Sequence, residues 1–387
     1  MTASSFIARK LRFKGRLPLV CIALSFFIII LAVAISSGFR KEIGRGVSEL
    51  SGDIRIVPQR QNLLGTDAPI PLHPSYEEAL RAHRAVRSLR PVVNRVGIVK
   101  NGTDIHGVLF KGMPGGADSS GRVRIPRRLS ALLHLQEGDR MTVYFIGEKT
   151  RARRFVVESV YDAILDADDK LVVTLPLEDM QRVNGWEAGQ VGSLELMLGE
   201  TWKDAGQLNV VRDELGALVY SLSGEDETPV WCEASTDRFP QIFDWLTLID
   251  FNVLFILALM VVVAGFNMIS GLLILLFESI STIGTLKAFG MTGRDIRRVY
   301  LKLSSGIVLK GLLIGNAAAL VFCLLQGTFH LIALDPANYF VSYVPVSLHL
   351  PFVLSADLLS YALILLLLQL PCMFISKIDP ATTMRME

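Results

Sequence analysis

Charge is missing from four long stretches of this 387-residue chain, and those gaps restrict it more than any other feature. Leu17 to Gly38, Phe251 to Phe277 and Gly311 to Leu334 carry no Asp, Glu, Lys or Arg; a fourth apolar run covers Leu358 to Ser376. Each run is long enough to cross a hydrocarbon core about 30 Å thick as a helix. Cysteine is scarce as well: Cys21, Cys323 and Cys372 lie in or beside apolar runs, which leaves Cys232 alone in the long polar segment. One thiol cannot form an intradomain disulfide. The six histidines show no close metal-ligand spacing, and no Gly-x-x-x-x-Gly-Lys-Ser/Thr phosphate loop occurs. The glycine-rich Gly112 to Gly121 has no Lys-Ser or Lys-Thr ending and reads as a turn. No catalytic residue and no metal ligand is assigned, and an ATP-driven machine built on this chain needs another chain to bind nucleotide. A net charge of +2 is too small to point to nucleic acid.

The charges that are present orient the spans. Arg9, Lys10, Arg12, Lys14 and Arg16 precede the first run, and Lys287, Arg294, Arg297, Arg298 and Lys302 lie between the second and third. Both places read as cytoplasmic, whereas Gln326 to Pro351 contains no Lys or Arg and reads as outside. Lys310 snorkels to the inner headgroups or faces a helix interface. Ala32-Val33-Ala34 imitates a signal-peptidase site, but the apolar run continues past it, so a retained anchor is expected.

The pattern predicts an α-helical membrane protein with four transmembrane helices and a large α+β periplasmic domain inserted after the first. The expected divisions are a cytoplasmic amphipathic segment 1–16, spans at 17–38, 246–277 with an outer stalk, 301–326 and 352–376, a periplasmic domain at 39–245, a cytoplasmic elbow at 278–300, a periplasmic loop at 327–351 and a cytoplasmic tail at 377–387. Phe239, Phe243 and Trp245 suit the outer interface. In the polar segment, strands are expected at 53–58, 91–99, 105–111, 141–146, 151–161, 170–175 and 193–198, with Asn101-Gly102 as a hairpin turn. Helices are expected at 73–90, 126–135, 177–183 and 207–218. The acidic turn with Asp166, Asp168 and Asp169 lacks calcium-loop spacing and reads as solvated.

The cytoplasmic FESISTIGTLKAFGMTGRDIRRVY, 277–300, reads as two helices joined at a tight corner. Gly290 ends the first, and Thr292 followed by Asp295 caps the second. Ile283, Leu286 and Phe289 offer apolar contacts beside Lys287. They suit packing along the membrane surface and docking in a partner cleft equally well.

The chain resembles the permease subunit of bacterial lipoprotein-releasing ABC transporters, within the wider family of macrolide-exporter and cell-division permeases. The resemblance rests on residues 251–301, on YFVSYVPVSLHL at 339–350, on SKIDPATTMRME at 376–387 and on FIARKLRFKGR at 6–16. It implies two permeases, identical or related, assembled in the bacterial inner membrane with two cytoplasmic ABC ATPase subunits. ATP and magnesium belong to those ATPases and no cofactor to this chain. It also implies lipoproteins as substrate, membrane lipids as surroundings and a periplasmic carrier as acceptor. By resemblance, Glu278, Ile283, Leu286, Lys287 and Phe289 couple to the ATPase. Family members carry a basic pair just after the glutamate, where this chain has Ser279-Ile280-Ser281. LQLPCMFISK, 368–377, also departs from the family's aromatic and basic pattern.

Apolar stripes on spans one and two nominate a lipid cavity lined by Phe26, Ile30, Val33, Ser37, Phe255, Leu259, Val262 and Phe266. Two alternatives stay open. One is a non-transporting scaffold that controls a periplasmic cell-wall hydrolase; the other is an export permease.

Overall fold

A computed structural model describes residues 17–59, 68–102, 104–145, 151–163, 171–224 and 227–374. The amphipathic segment, the acidic turn and the carboxy-terminal tail expected from sequence lie outside those residues. The chain is a multi-pass inner-membrane protein with a large periplasmic α+β domain inserted after its first span. Its described residues divide into a membrane unit, which runs to Phe39 and takes in Thr247–Ile332 and the chain from Val344 onward, and a periplasmic unit, Arg40–Leu246 with Ala333–Tyr343.

Four helices carry the uncharged runs: Leu17–Ser51, Pro240–Glu278, Gly293–Phe329, and Leu350–Leu367 followed by Gln369–Phe374. The first three are longer than their apolar cores, because charge ends hydrophobicity without ending a helix. Their boundaries follow capping chemistry. Gly52, at φ +73°, supplies the left-handed residue that stops the first helix, and its N–H donates to the Ser48 carbonyl at 2.8 Å. Pro240 opens the second, where a missing N–H costs nothing.

Within the membrane unit, small residues let helices approach. A Cβ placed on Gly315 of span three would sit 2.4 Å from the Ala23 carbonyl oxygen and 2.9 Å from the Phe26 Cβ of span one. Any side chain there forces the two helices apart, as expected of small-residue contacts in lipid. Ile22, Phe26, Ile29 and Ile30 are fully buried in this bundle with Ala264, Met268, Ile296, Val308 and Ile364. Spans three and four also meet through polar pairs, Ser305 with the Tyr361 hydroxyl at 2.7 Å and Asn316 with Asp357 at 2.5 Å.

Among the described residues the periplasmic unit has eleven strands: β1 Ile54–Pro58, β2 Ile70–Pro71, β3 Val86–Asn101, β4 Asp104–Met113, β5 Arg122–Pro126, β6 Arg140–Phe145, β7 Arg151–Tyr161, β8 Val172–Pro176, β9 Gln190–Val191, β10 Ser193–Leu198 and β11 Val230–Ala234. Strand pairing runs β3-β4-β8-β5-β7-β6 and returns from β6 to β3, closing a six-stranded ring. The first half of β3 instead pairs with β10, which continues through β1 to β11. One long strand thus serves two lobes. Phe110, Phe145 and Phe155 fill the ring with centroids 5.1–6.5 Å apart, the edge-to-face and offset spacings aromatic rings favour.

Local sequence misreads one element here. The helix expected over 73–90 is confined to Glu77–Ala82, and the chain enters β3 at Val86. Glu77 and Glu78 suit a helix start, but the following residues are claimed by long-range pairing with β10, which no local periodicity reveals. The short strands β5 and β11 likewise escape sequence inspection.

A buried charge cluster ties the sheet to the end of the first helix. The Lys111 ammonium, almost wholly buried, donates to the Leu50 carbonyl at 2.9 Å, the Glu49 carbonyl at 3.2 Å and the Glu195 carboxylate at 2.7 Å. Arg90 donates to the same carboxylate oxygen at 2.7 Å and to the Glu49 carbonyl at 3.3 Å. Two cations therefore cap the negative end of the helix dipole, and one fully buried glutamate neutralises part of their charge.

Burial lowers Lys111 to about 8 from an ordinary 10.5, more than Glu195 restores. Between those pH values the unfolded chain binds a proton that the folded one does not. This contribution to stability is full above pH 10.5 and is lost as pH falls through 8. An isolated fragment spanning Arg40 to Asp237 should unfold in one cooperative denaturant transition and grow more stable from pH 8 to 10.5. Lys111→Met should flatten that slope and lower stability by about 3 kcal/mol, the cost of breaking a buried charge contact. A disordered fragment, or an unchanged slope in the variant, contradicts this assignment.

Candidate functional site

The second-span helix ends at Glu278 and a separate helix, Ile280–Ala288, follows at once. This is the first of the two helices expected in the 277–300 elbow, set off from span two at Ser279, whose N–H still donates to the Leu275 carbonyl while its own carbonyl accepts from Ile283. Gly290, at φ +84°, closes the short helix: its N–H donates to the Lys287 carbonyl at 2.9 Å, and the Met291 N–H to the Leu286 carbonyl at 3.0 Å. Thr292 then caps the third-span helix. Its Oγ1 accepts from the Asp295 N–H at 3.3 Å and donates to the Asp295 carboxylate at 2.6 Å.

This geometry sorts the five residues named for coupling. Ile283 is fully buried in the membrane unit and Leu286 packs against the same core, so both attach the elbow to its own bundle. Lys287 is half-buried. Glu278 is exposed, and Phe289 is 85% exposed, an unusual state for a large apolar ring. Between them, Ser281, Thr282, Thr285 and Ala288 complete one exposed face at three- and four-residue spacing. That hydroxyl-lined face escapes apolar-contact searching, and its marker in the sequence is the polar register opposite Ile283. Arg294, Arg297, Arg298 and Lys302 are exposed on the next helix.

The eight residues named for a lipid cavity fall into two groups. Phe26 and Ile30 are fully buried against the chain's own helices, and Val33 and Ser37 are partly buried. Phe26 lies against span three, where it meets the Gly315 position, so it backs the bundle instead of lining an open surface. Phe255, Leu259, Val262 and Phe266 form a single stripe on span two, 45–66% exposed. The structure therefore gives the span-two residues one outward face and does not bring the span-one residues onto it. Among the described residues, no three His, Cys, Asp or Glu side chains gather as a metal-holding group.

Comparison with known proteins places this geometry. Residues 254–380, which hold most of span two, the elbow and the last two spans, match the FtsX-like permease C-terminal family. The lipoprotein-releasing system transmembrane protein LolC of Xylella fastidiosa is 22% identical over 95% of this chain and 92% of its own length. Over its carboxy-terminal third the chain is similar to this permease family, and over nearly its whole length to this relative. The lipoprotein-releasing system transmembrane protein LolE of Haemophilus influenzae is also 22% identical, over 93% of this chain and 91% of its own length. The periplasmic region of MacB from Actinobacillus actinomycetemcomitans aligns with 51% of the chain at 16% identity and a TM-score of 0.31.

Substitutions on the two faces of the elbow test the ATPase contact that the sequence resemblance leads us to expect. Phe289→Asp replaces an exposed ring and should leave insertion and thermal stability unchanged while weakening association with the cognate ATPase at least tenfold. Ile283→Asp puts an unpaired charge into a closed core and should prevent stable assembly of the chain itself. Undiminished ATPase capture by a folded Phe289→Asp variant would remove the exposed face from the contact.

Proposed function

We propose that this chain is a permease subunit of an ATP-driven machine that extracts lipoproteins from the outer leaflet of the inner membrane and passes them to a periplasmic carrier. The observation that carries the reading is the near full-length relationship to lipoprotein-releasing system transmembrane proteins, which includes the periplasmic unit as well as the spans. Two cytoplasmic ATPases bind ATP and magnesium and hydrolyse the nucleotide, and a second permease, identical or related, completes the membrane part. The bilayer crossings proposed are those marked by the charge pattern, at 17–38, 246–277, 301–326 and 352–376.

Lipid extraction sets the physical demand. Each methylene moved from hydrocarbon to water costs about 0.8 kcal/mol, so one chain of about fifteen methylenes costs about 12 kcal/mol. A machine that kept the chains shielded throughout would avoid most of that cost. The exposed stripe Phe255, Leu259, Val262 and Phe266 is suited to be one wall of such a shield, with Phe26 and Ile30 buried within the bundle and Val33 and Ser37 partly buried on span one. Glu278 and Phe289 are the outer ATPase contacts in this reading, while Ile283, Leu286 and Lys287 carry the motion into the spans. A scaffold that only activates a periplasmic hydrolase would use the same elbow without the lipid stripe.

Reconstitution distinguishes these readings. The permease, its ATPase and a fluorescent triacylated lipoprotein in vesicles should release the lipoprotein to a soluble carrier when ATP is added. The Phe289→Asp variant should fall to the level seen without ATP. ATP turnover without release, together with stimulation of a cell-wall hydrolase, would instead establish the scaffold.

A further inference from the structure

Span four contains one acidic residue. Asp357 stands seven residues inside the Leu350–Leu367 helix, about 10 Å from its outer end at the helical rise, and is only 7% exposed. The side chain facing it is Asn316 of span three, whose Nδ2 donates to Asp357 Oδ2 at 2.5 Å. Two buried oxygens are left without a partner, Asp357 Oδ1 and Asn316 Oδ1. Both are acceptors, so neither can satisfy the other as they stand.

The surrounding charges do not resolve this. Span three has no Asp, Glu, Lys or Arg between Lys310 and Phe329, and Lys310 is exposed. Along span four the buried face is Val353, Asp357, Ser360 and Ile364. The small residues Gly311, Gly315 and Ala319 make up the buried part of span three around Asn316. An ionised carboxylate there would face a neutral amide, with the basic residues of span three confined to Lys310 and positions before it, and a buried unpaired charge is the costliest group a span can hold.

One proton removes both defects. We infer that Asp357 and Asn316 form a proton-holding site in which Asp357 is the carboxylic acid, its Oδ1–H donating to Asn316 Oδ1 while Asn316 Nδ2 donates to Asp357 Oδ2. This closes a two-bond ring between acid and amide. It is a neutral lock between spans three and four and leaves no orphaned oxygen on either side chain. The pair does not touch the lipid stripe or the elbow, so the site stands or falls separately from the transport reading.

Infrared difference spectroscopy on the full chain in phosphatidylethanolamine and phosphatidylglycerol vesicles tests it directly. At pH 7 the wild type should show a protonated-carboxyl C=O band that is absent from Asp357→Asn. In Asn316→Leu that band should move to the higher wavenumber of an acid without a hydrogen-bond partner. Carboxylate bands in the wild-type minus Asp357→Asn difference would show an ionised group and overturn the inference. If Asp357→Asn fails to insert, the comparison of wild type with Asn316→Leu decides alone, and an acid band that does not move contradicts the pairing.

Discussion

Hydrocarbon offers no hydrogen-bond partner to a backbone N–H or C=O, and the rest of this molecule is arranged around that constraint. It forces each crossing into a helix, excludes charge from the middle of the crossings and pushes every irregular segment to one side or the other. The consequences appear at the helix ends. Gly52, Gly290 and Thr292 sit where chain direction changes, and each satisfies amides or carbonyls that a helix end leaves open. The Lys111 and Arg90 pair does the same for the first helix, at its periplasmic end, with side-chain cations in place of backbone turns.

The spans were legible because their signal is compositional: a run without charge needs no knowledge of what it packs against. Asn101-Gly102 and the strands around it were legible for a similar reason, since the hairpin register from Val93 opposite Gly112 to Asn101 opposite Asp104 is set by neighbours in sequence. Pairing between distant segments was not. The pairing of β3 with β6 and with β10 depends on strands about forty-five and about a hundred residues away, and the β10 pairing converts the expected second half of a helix into strand. Lys111 and Glu195 were invisible as a pair for the same reason, being 84 positions apart.

The candidate site divides along the same line. Periodicity identified Phe255, Leu259, Val262 and Phe266 as one stripe, and the helix presents them as one exposed face. It could not say that Phe26 and Ile30 are covered, because that depends on Gly315 letting span three close on span one. Nor could it separate Ile283 from Phe289, which share an apolar character but point to opposite environments. Side-chain chemistry nominates such residues; only packing assigns them to an inner or an outer face.

The proposed mechanism places acyl chains against the exposed stripe of span two until ATP drives them off. A photoreactive amino acid in place of Phe255 or Phe266, in the assembled transporter loaded with a triacylated lipoprotein, tests that placement most directly. The account predicts cross-links to the lipoprotein's acyl chains before ATP is added and their loss afterwards, with no such cross-links from a probe at buried Ile30. Cross-links to bulk phospholipid alone, unchanged by ATP, would contradict it.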